Sequence, residues 1–98
     1  MLRVEPSGAF CRDTKKLKAR HTNMTPLFTV IELIRQDTPE ALAELKRHHK
    51  MHWLSGAWAG ANECHVCNAG DWLLIWTVKD GTAFLARTGM HDELLRRL

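Results

Sequence analysis

Residue types suited to acid–base chemistry concentrate in the second half of this 98-residue chain. Five of its six histidines follow residue 47, at His48, His49, His52, His65 and His91. Histidine is the side chain best placed to give or take a proton near neutral pH. Isolated histidines are more often surface or satisfied core residues, and we interpret His48 and His49, at a polar helix end, in that way. The other three form a catalytic set only if the fold brings them together.

An arginine accompanies the last histidine in the stretch "FLARTGMHDELL". Arg87 ends a strand-like run, and His91 follows a Thr-Gly turn at the start of a helical segment. A guanidinium suits the charge that develops on a scissile phosphate. Histidines and an arginine can cleave RNA through its own 2′-hydroxyl, because one group takes the 2′-OH proton, one protonates the leaving 5′ oxygen and the arginine stabilises the phosphorane. The alternative is an ion pair of Arg87 with an acid such as Glu63 or Asp71.

The stretch "CHVC", residues 64–67, raises the possibility of a zinc site, since Cys64, His65 and Cys67 are zinc-ligand types. Strand alternation predicts His65 and Cys67 on one face and Cys64 on the other. A second paired-cysteine motif is also missing. We therefore expect small hydrophobic strand residues here, and no metal or other cofactor.

Four tryptophans, at positions 53, 58, 72 and 76, cannot all be fully buried in so small a domain. Trp76 lies in the middle of an apolar run and is the predicted core member. Trp72, at a strand edge beside Asp71, is the predicted platform for stacking a base.

The elements that must position these residues follow from capping and periodicity signals. A strand is predicted at residues 2–5, and Ser7 is a plausible N-cap for a helix to about residue 20. Asn23, Thr25 and Pro26 start a second helix to about residue 35, and Thr38-Pro39-Glu40 starts a third, short one to about residue 47. Two adjacent helices returning on one another give a helical hairpin or a bent helix.

From residue 53 onward the pattern is that of strands. The runs "DWLLIWTV" and "AFLAR" flank Asp80-Gly81, which predicts a two-residue hairpin turn. Counting from that turn pairs Trp76 with Leu85 and Leu74 with Arg87, so Arg87 would share the face of Leu74. A final helix is predicted at residues 92–98. The order predicts an α+β fold with helices packed on an antiparallel sheet.

Composition indicates one globular domain spanning residues 1–98, with 45% hydrophobic and 26% charged residues. The net charge is +3, and six basic against two acidic residues give the first 20 positions +4. That segment suits nucleic acid or an acidic partner, although charge alone favours a solvated helix face. Three cysteines, no signal-peptide pattern and no apolar run long enough to span a bilayer predict a reducing, cytoplasmic location without disulfides or a membrane partner.

Three stretches together resemble the RelE/ParE toxin superfamily, in particular its YafQ-like mRNA interferase branch. They are "HWLSGAWAGANECHV", "DWLLIWTV" and "LARTGMHDELL". The shared pattern is His followed by Leu-x-Gly-x-Trp-x-Gly, then His-Val, Asp-Trp before a hydrophobic strand, and Arg-Thr-Gly-x-His. The combination is specific, whereas any one piece alone is weak.

The resemblance implies a small microbial RNase-like βααβββ(α) fold in which an antiparallel sheet packs against an N-terminal helical hairpin. It implies the toxin of a bacterial type II toxin–antitoxin system that enters the 70S ribosome and cuts mRNA in the A site without a metal. A RelB/DinJ-type antitoxin would neutralise it and would provide its indirect link to operator DNA.

Carried over by position, the resemblance also implies residue roles. His91 becomes the general acid and Arg87 the phosphate clamp, while His52, His65 and Asp71 supply the base and its orientation in an order left open. Substrate contacts fall to Trp72 and to Leu95, where the family often has an aromatic residue. The chain departs from the pattern in its longer "CNAG" link, in Asn62 where an arginine is common, and in His49, which competes with His52 for the family position.

Two other functions fit the same resemblance. One is a ParE-like toxin that poisons gyrase by binding. The other is a non-catalytic domain that holds an antitoxin or DNA, with Trp72 as an interface hot spot. The retained set of acid–base residues favours the nuclease, because a binding protein has no need of it.

Overall fold

A five-stranded sheet carries helices on one side. The computed structural model describes residues 1–67 and 70–95 of the 98-residue chain. Its elements are β1 (Arg3–Pro6), α1 (Gly8–Ala19), α2 (Thr25–Gln36), α3 (Pro39–His49), β2 (His52–Trp53), a 3-10 turn (Gly56–Trp58), β3 (Asn62–His65), β4 (Trp72–Lys79), β5 (Thr82–Met90) and α4 (His91–Leu95). No helix among the described residues is long and apolar enough to cross a membrane. The last three residues of the predicted terminal helix and part of the "CNAG" link lie outside the described residues.

The strand order is β1-β5-β4-β3-β2. β2 to β5 form the predicted antiparallel arrangement, whereas β1 pairs with β5 in parallel, so the sheet is mixed. Parallel strands need a long crossover connection, and here three helices and three strands separate β1 from β5. The α+β prediction is confirmed, with one strand running against the expected direction.

Two of the predicted helix caps are present. The Ser7 hydroxyl accepts a hydrogen bond from the Phe10 N–H at 3.0 Å, and the Thr38 hydroxyl accepts one from the Ala41 N–H at 3.0 Å. α2 differs, because its N-cap is Met24, which makes no side-chain cap. Asn23 instead accepts a hydrogen bond from the Thr25 N–H at 3.1 Å.

The two faces of the sheet are covered unequally. We call the side against α1, α2 and α3 the helical face. Its core consists of Phe10, Leu17, Leu27, Val30, Ile34, Leu45, Cys64, Val66, Trp72, Leu74, Trp76, Ala83 and Leu85. We call the opposite side the second face. Among the described residues, the apolar cluster buried there is small and consists of Ala61, Leu73, Ile75 and Leu94. Polar side chains can therefore remain accessible on the second face.

The predicted β4–β5 turn is correct, but the register changes farther along the hairpin. Asp80 and Gly81 both have positive φ, at 52° and 75°, as a type I′ turn requires. Trp76 pairs with Leu85 as predicted, but the next step pairs Ile75 with Arg87 and leaves Ala86 as an extra residue. The predicted Leu74–Arg87 pair is therefore wrong, because a β-bulge shifts every later partner by one position.

Ser7 ties this bulge to the start of α1. Its hydroxyl donates to the Ala86 carbonyl at 2.8 Å while it caps the helix, and its N–H donates to the Leu85 carbonyl at 2.9 Å. We expect Ser7→Ala to lower the free energy of unfolding by about 1–2 kcal/mol, because it removes both hydroxyl bonds at once. Urea denaturation would measure the loss. Thr14→Ala, which removes one local helix bond to the Cys11 carbonyl, is the control, and equal losses in the two variants would contradict the double role.

Candidate active site

The strand register brings three of the five predicted catalytic residues, His52, His65 and Arg87, onto the second face in two rows. The first row runs across four strands as His52, Glu63, Ile75 and Arg87. The second row is His65, Leu73 and Gly89. Alternation along the strands gives all of these residues the same side, opposite to the helices. Leu73 and Ile75, both fully buried, form the floor between the polar residues.

Asp71 and His91 extend the same arrangement beyond the strand ends. Trp72 pairs with Met90, and the His91 N–H then donates to the Asp71 carbonyl at 2.9 Å. Both side chains are exposed. Gly89 has a φ of 154°, a backbone conformation that residues with a side chain rarely adopt, and it lies against Leu94 of α4. The Arg-Thr-Gly-x-His pattern thus covers the end of β5 and the first residue of α4, and its His91 side chain is accessible.

His52 and Arg87 lie at opposite ends of the first row. Neighbouring strands are about 4.8 Å apart, so His52 and Arg87, three spacings apart in the same row, lie roughly 14 Å from each other. His65, Asp71 and His91 lie at the ends of β3, β4 and β5, which are adjacent at the same end of the sheet. His52 therefore sits at one edge of the candidate site, and the other histidines gather at one end.

Arg87 is held by Asp13 of α1, not by Glu63 or Asp71 as the sequence suggested. Its Nε donates to Asp13 Oδ2 at 2.7 Å and its Nη2 donates to Oδ1 at 3.0 Å. The side chains are 32% and 8% exposed, respectively. Hydrogen bonding to this carboxylate raises the pKa of Arg87, so the guanidinium stays charged. The sequence signal for Asp13 was an acid between Phe10 and Leu17 on the apolar stripe of α1.

His52 pairs with Glu63 on the neighbouring strand. Its Nε2 lies 3.2 Å from Glu63 Oε1, and its Nδ1 lies 2.8 Å from the Lys50 carbonyl. A carbonyl only accepts, so Nδ1 is the nitrogen that donates to Lys50, and Nε2 is the nitrogen that faces Glu63. Glu63 is 4% exposed, and its Oε2 has no partner within the described residues. Sequence reasoning named Glu63 only as a partner for Arg87.

His49 does not take the place of His52. Its Nδ1 donates to the His65 carbonyl at 2.8 Å, which joins the end of α3 to the end of β3. This bond uses the backbone of His65, and within residues 1–67 and 70–95 no side-chain hydrogen bond occupies the His65 ring. His52 is therefore the histidine on the second face, and His65 presents a ring there with both nitrogens available.

Trp72 is not the exposed tryptophan that the sequence suggested. It is 6% exposed in the helical-face core, and its indole N–H donates to the Thr88 hydroxyl at 2.9 Å. Its pairing with Met90 turns the ring toward the helices, so a base cannot stack on it in this conformation. Trp53, at 71%, is a largely exposed tryptophan. The side chain of Leu95, the other predicted substrate contact, lies outside what the structure describes.

The "CHVC" stretch does not converge on a metal. Cys64 is fully buried on the helical face, whereas His65 belongs to the second face. Cys67 packs against the helical-face core, contrary to the alternation argument, because β3 ends at His65 and the chain turns. In the part of the chain that the structure describes, no group of three or more His, Cys, Asp or Glu side chains could hold a metal ion.

Two sequence comparisons match this chain to known proteins over almost its whole length. A family model described as "Bacterial toxin of type II toxin-antitoxin system, YafQ" matches residues 2–96. The mRNA interferase toxin YafQ of Escherichia coli (strain K12) is 33% identical over 91 residues, which cover 93% of this chain and 92% of that protein.

Solved structures share the fold over nearly the whole chain. A copper-bound mutant toxin from Helicobacter pylori aligns with a TM-score of 0.83 at 32% identity, covering 97% of this chain and 100% of that one. YafQ in the E. coli DinJ–YafQ complex aligns with a TM-score of 0.77 at 30% identity, covering 97% and 99%.

The reactivity of Cys64 tests whether the helical-face core is closed to solvent, because this cysteine is fully buried there. Burial, with a smaller contribution from the Glu63 charge, raises the pKa of the Cys64 thiol well above its usual range. A raised pKa keeps the thiol protonated at pH 8, and the thiolate is the reactive form. We expect iodoacetamide at pH 8 to alkylate the exposed Cys11 and to leave Cys64 unmodified until urea unfolds the protein, as followed by mass spectrometry. Rapid labelling of Cys64 in the native protein would contradict this packing.

Proposed function

The chain belongs to the YafQ family of bacterial type II toxins, and from that membership and the site geometry we propose that it is a ribosome-dependent endoribonuclease that cuts mRNA in the A site. The observation that carries the proposal is the convergence on one open sheet face of a fixed arginine and several histidines with accessible rings. A protein that acted only by binding gyrase or an antitoxin would not require this arrangement. The E. coli relative is named an mRNA interferase, which supports the same reaction here.

Arg87 supplies the cation for the scissile phosphate. Its guanidinium is fixed by Asp13 and remains one-third exposed at the edge of the second face. Lys16 of α1 and Arg20, which follows α1, line the same small depression as Arg87, together with the carboxylates of Asp13 and Glu93. Asp13 pairs with Arg87 and Glu93 pairs with Arg20, so the three cations exceed the two carboxylates by one positive charge, which favours the approach of an RNA backbone.

The histidines divide the proton transfers. Both ring nitrogens of His52 are engaged, by Lys50 and Glu63, which favours His65 as the base that removes the 2′-OH proton. Asp71, at the same end of the sheet, would orient this base. The exposed His91, in its protonated form, would give its proton to the leaving 5′ oxygen.

The reaction balances without a further reagent. The 2′ oxygen forms a bond to phosphorus while the bond from phosphorus to the 5′ oxygen breaks, and one proton is removed as one is delivered. The products are a 2′,3′-cyclic phosphate and a 5′-hydroxyl. Charge on the phosphorane is stabilised by Arg87 throughout. The His52–Glu63 pair, at the opposite edge, would contact the RNA away from the scissile bond.

The proposal includes the partners of the family. E. coli YafQ is found in a complex with DinJ, and a cognate RelB/DinJ-type antitoxin would bind this chain and connect it indirectly to operator DNA. Apolar surface is available for such a partner, because Trp53 and Val78 are 71% and 47% exposed beside a groove of about 270 Å³. The 70S ribosome with its mRNA, in the cytoplasm, would be the target.

Replacement of either Arg87 or His91 should abolish toxicity. Circular dichroism should show that both variants still fold, with Arg87→Ala the less stable one, because it removes two of the three hydrogen bonds to the buried Asp13 carboxylate. We expect Arg87→Ala to slow cleavage by about 10²–10³-fold, because it removes a transition-state charge. His91→Ala should slow cleavage by about 10²–10⁴-fold, because it removes a general acid. Growth arrest on induction and mapping of mRNA 5′ ends on ribosomes would measure both. His48→Ala is the matched control, since His48 is an exposed histidine paired with Glu44 on α3, away from the second face.

The opposite result identifies the alternatives. Arrest that persists in both variants, with intact mRNA and DNA damage linked to gyrase, would point to a ParE-like poison. Binding of the antitoxin with neither arrest nor cleavage would point to a non-catalytic domain.

The proposed chemistry uses side chains alone. We therefore expect cleavage by the purified toxin to continue after metal removal from the protein by EDTA and dialysis, with the programmed ribosomes kept in their Mg²⁺ buffer. The single-turnover rate of cleavage is the measurement. The copper-bound Helicobacter relative makes copper the relevant addition, and a rate that falls on chelation and returns with copper would require a metal-assisted mechanism instead.

A further inference from the structure

Asp13 has no role in the acid–base scheme. Its carboxylate is buried and pairs with Arg87, which is 74 positions away in the sequence. Its side chain is 8% exposed, and a carboxylate buried to this extent is stable only with partners. It has three, because besides the two bonds from Arg87, the backbone N–H of Thr88 donates to Oδ2 at 3.1 Å. The backbone of β5 therefore fixes the carboxylate, and the carboxylate in turn fixes one long, flexible side chain.

Asp13 occupies one edge of the Arg87 guanidinium and leaves the edge between Nη1 and Nη2 without a hydrogen bond to Asp13. A guanidinium carries five N–H groups in one plane. Asp13 takes one from Nε and one from Nη2, which together form the side edge of the fork. Three N–H groups remain, two on Nη1 and one on Nη2. The end edge between these two nitrogens can still present two parallel N–H groups to two phosphate oxygens.

We propose that Asp13 is a positioning residue for catalysis, which holds the Arg87 guanidinium side-on so that its end edge faces the scissile phosphate. This inference rests on the proposed nuclease function. A free arginine samples many rotamers, and binding of a phosphate would have to restrict them. Asp13 removes that freedom before the substrate arrives, so the cation is already in place when charge develops.

A second hydrogen-bonded chain supports the same assignment. The Thr88 hydroxyl accepts from the Trp72 indole and donates to the Leu73 carbonyl at 2.8 Å. Thr88 is 1% exposed. The backbone that holds Asp13 is therefore locked to the start of β4, and α1, β4 and β5 meet at this point. Trp72 acts here through packing, which gives the Asp-Trp motif a role other than stacking on a base.

The chain offers a matched control in α2. Arg35 donates from Nε to Glu32 Oε1 at 2.9 Å and from Nη2 to Oε2 at 2.6 Å. This is the same two-bond fork in an exposed pair outside the candidate site. Glu32→Gln thus weakens an equivalent pair without touching Arg87.

The test is a double-mutant cycle on the single-turnover rate of mRNA cleavage on programmed ribosomes, with toxin in excess. We expect Asp13→Asn to slow cleavage by about 10–100-fold, since it loosens the clamp without removing it. In the Arg87→Ala background the same change should alter the rate by no more than about threefold. Glu32→Gln should leave the rate unchanged. A slowing by Asp13→Asn of equal size in both backgrounds would mean a purely structural role and would overturn the proposal, as would an unchanged or faster rate in the single variant.

A spectroscopic measurement tests whether Asp13 orients Arg87 without relying on cleavage. In nitrogen-15 NMR spectra we expect the Arg87 Nε–H signal to exchange slowly in the wild type and to broaden or vanish in Asp13→Asn. It should persist in Phe10→Leu, which loosens α1 packing and leaves the pair intact. Inorganic phosphate should shift this signal in the wild type more than in Asp13→Asn at the same concentration. Equal shifts would overturn the positioning role. If the wild type cleaves no mRNA, the nuclease proposal fails, and this signal still decides whether Asp13 orients Arg87.

Discussion

One extra residue in β5 determines on which side of the sheet the Arg87 guanidinium lies. Without the bulge at Ala86, Arg87 would pair with Leu74 and point into the core beneath the helices. A guanidinium there would be desolvated at a cost that packing could not offset. With the bulge, Arg87 pairs with Ile75 on the lightly covered second face. The bulge therefore separates two requirements, a closed apolar core on one side and an accessible charged site on the other.

The bulge is held from outside the sheet. β1 covers β5 only as far as Leu85, and the edge beyond it would otherwise expose unpaired backbone groups. The first two turns of α1 occupy that edge. Ser7 bonds the bulge carbonyl, and Asp13 bonds the next backbone N–H together with the arginine. The edge of β5 that β1 leaves uncovered is thus the place where the Arg87 side chain is oriented.

The second face contains a buried acid that lowers stability. Glu63 is buried, and among the described residues one of its carboxylate oxygens has no partner while the other lies beside His52. A buried polar atom without a partner lowers stability by about 1–3 kcal/mol. The face that carries His65 and Arg87 is therefore not arranged for stability alone.

Local rules in the sequence were enough for most of the elements and for naming several residues that lie on the second face. Ser7 and Thr38 cap helices because their hydroxyls reach N–H groups three residues away, and Asp80-Gly81 turns the hairpin because both residues adopt positive φ. Alternation correctly placed Cys64 and His65 on opposite faces. The motif spacing named the histidines, the arginine and the family. Only the tertiary structure decided the rest: the bulge, the parallel β1, the burial of Trp72 and the Asp13–Arg87 pair. The partners in that pair are 74 positions apart, and such contacts depend on how helices and strands pack together, a property that no short stretch of sequence contains.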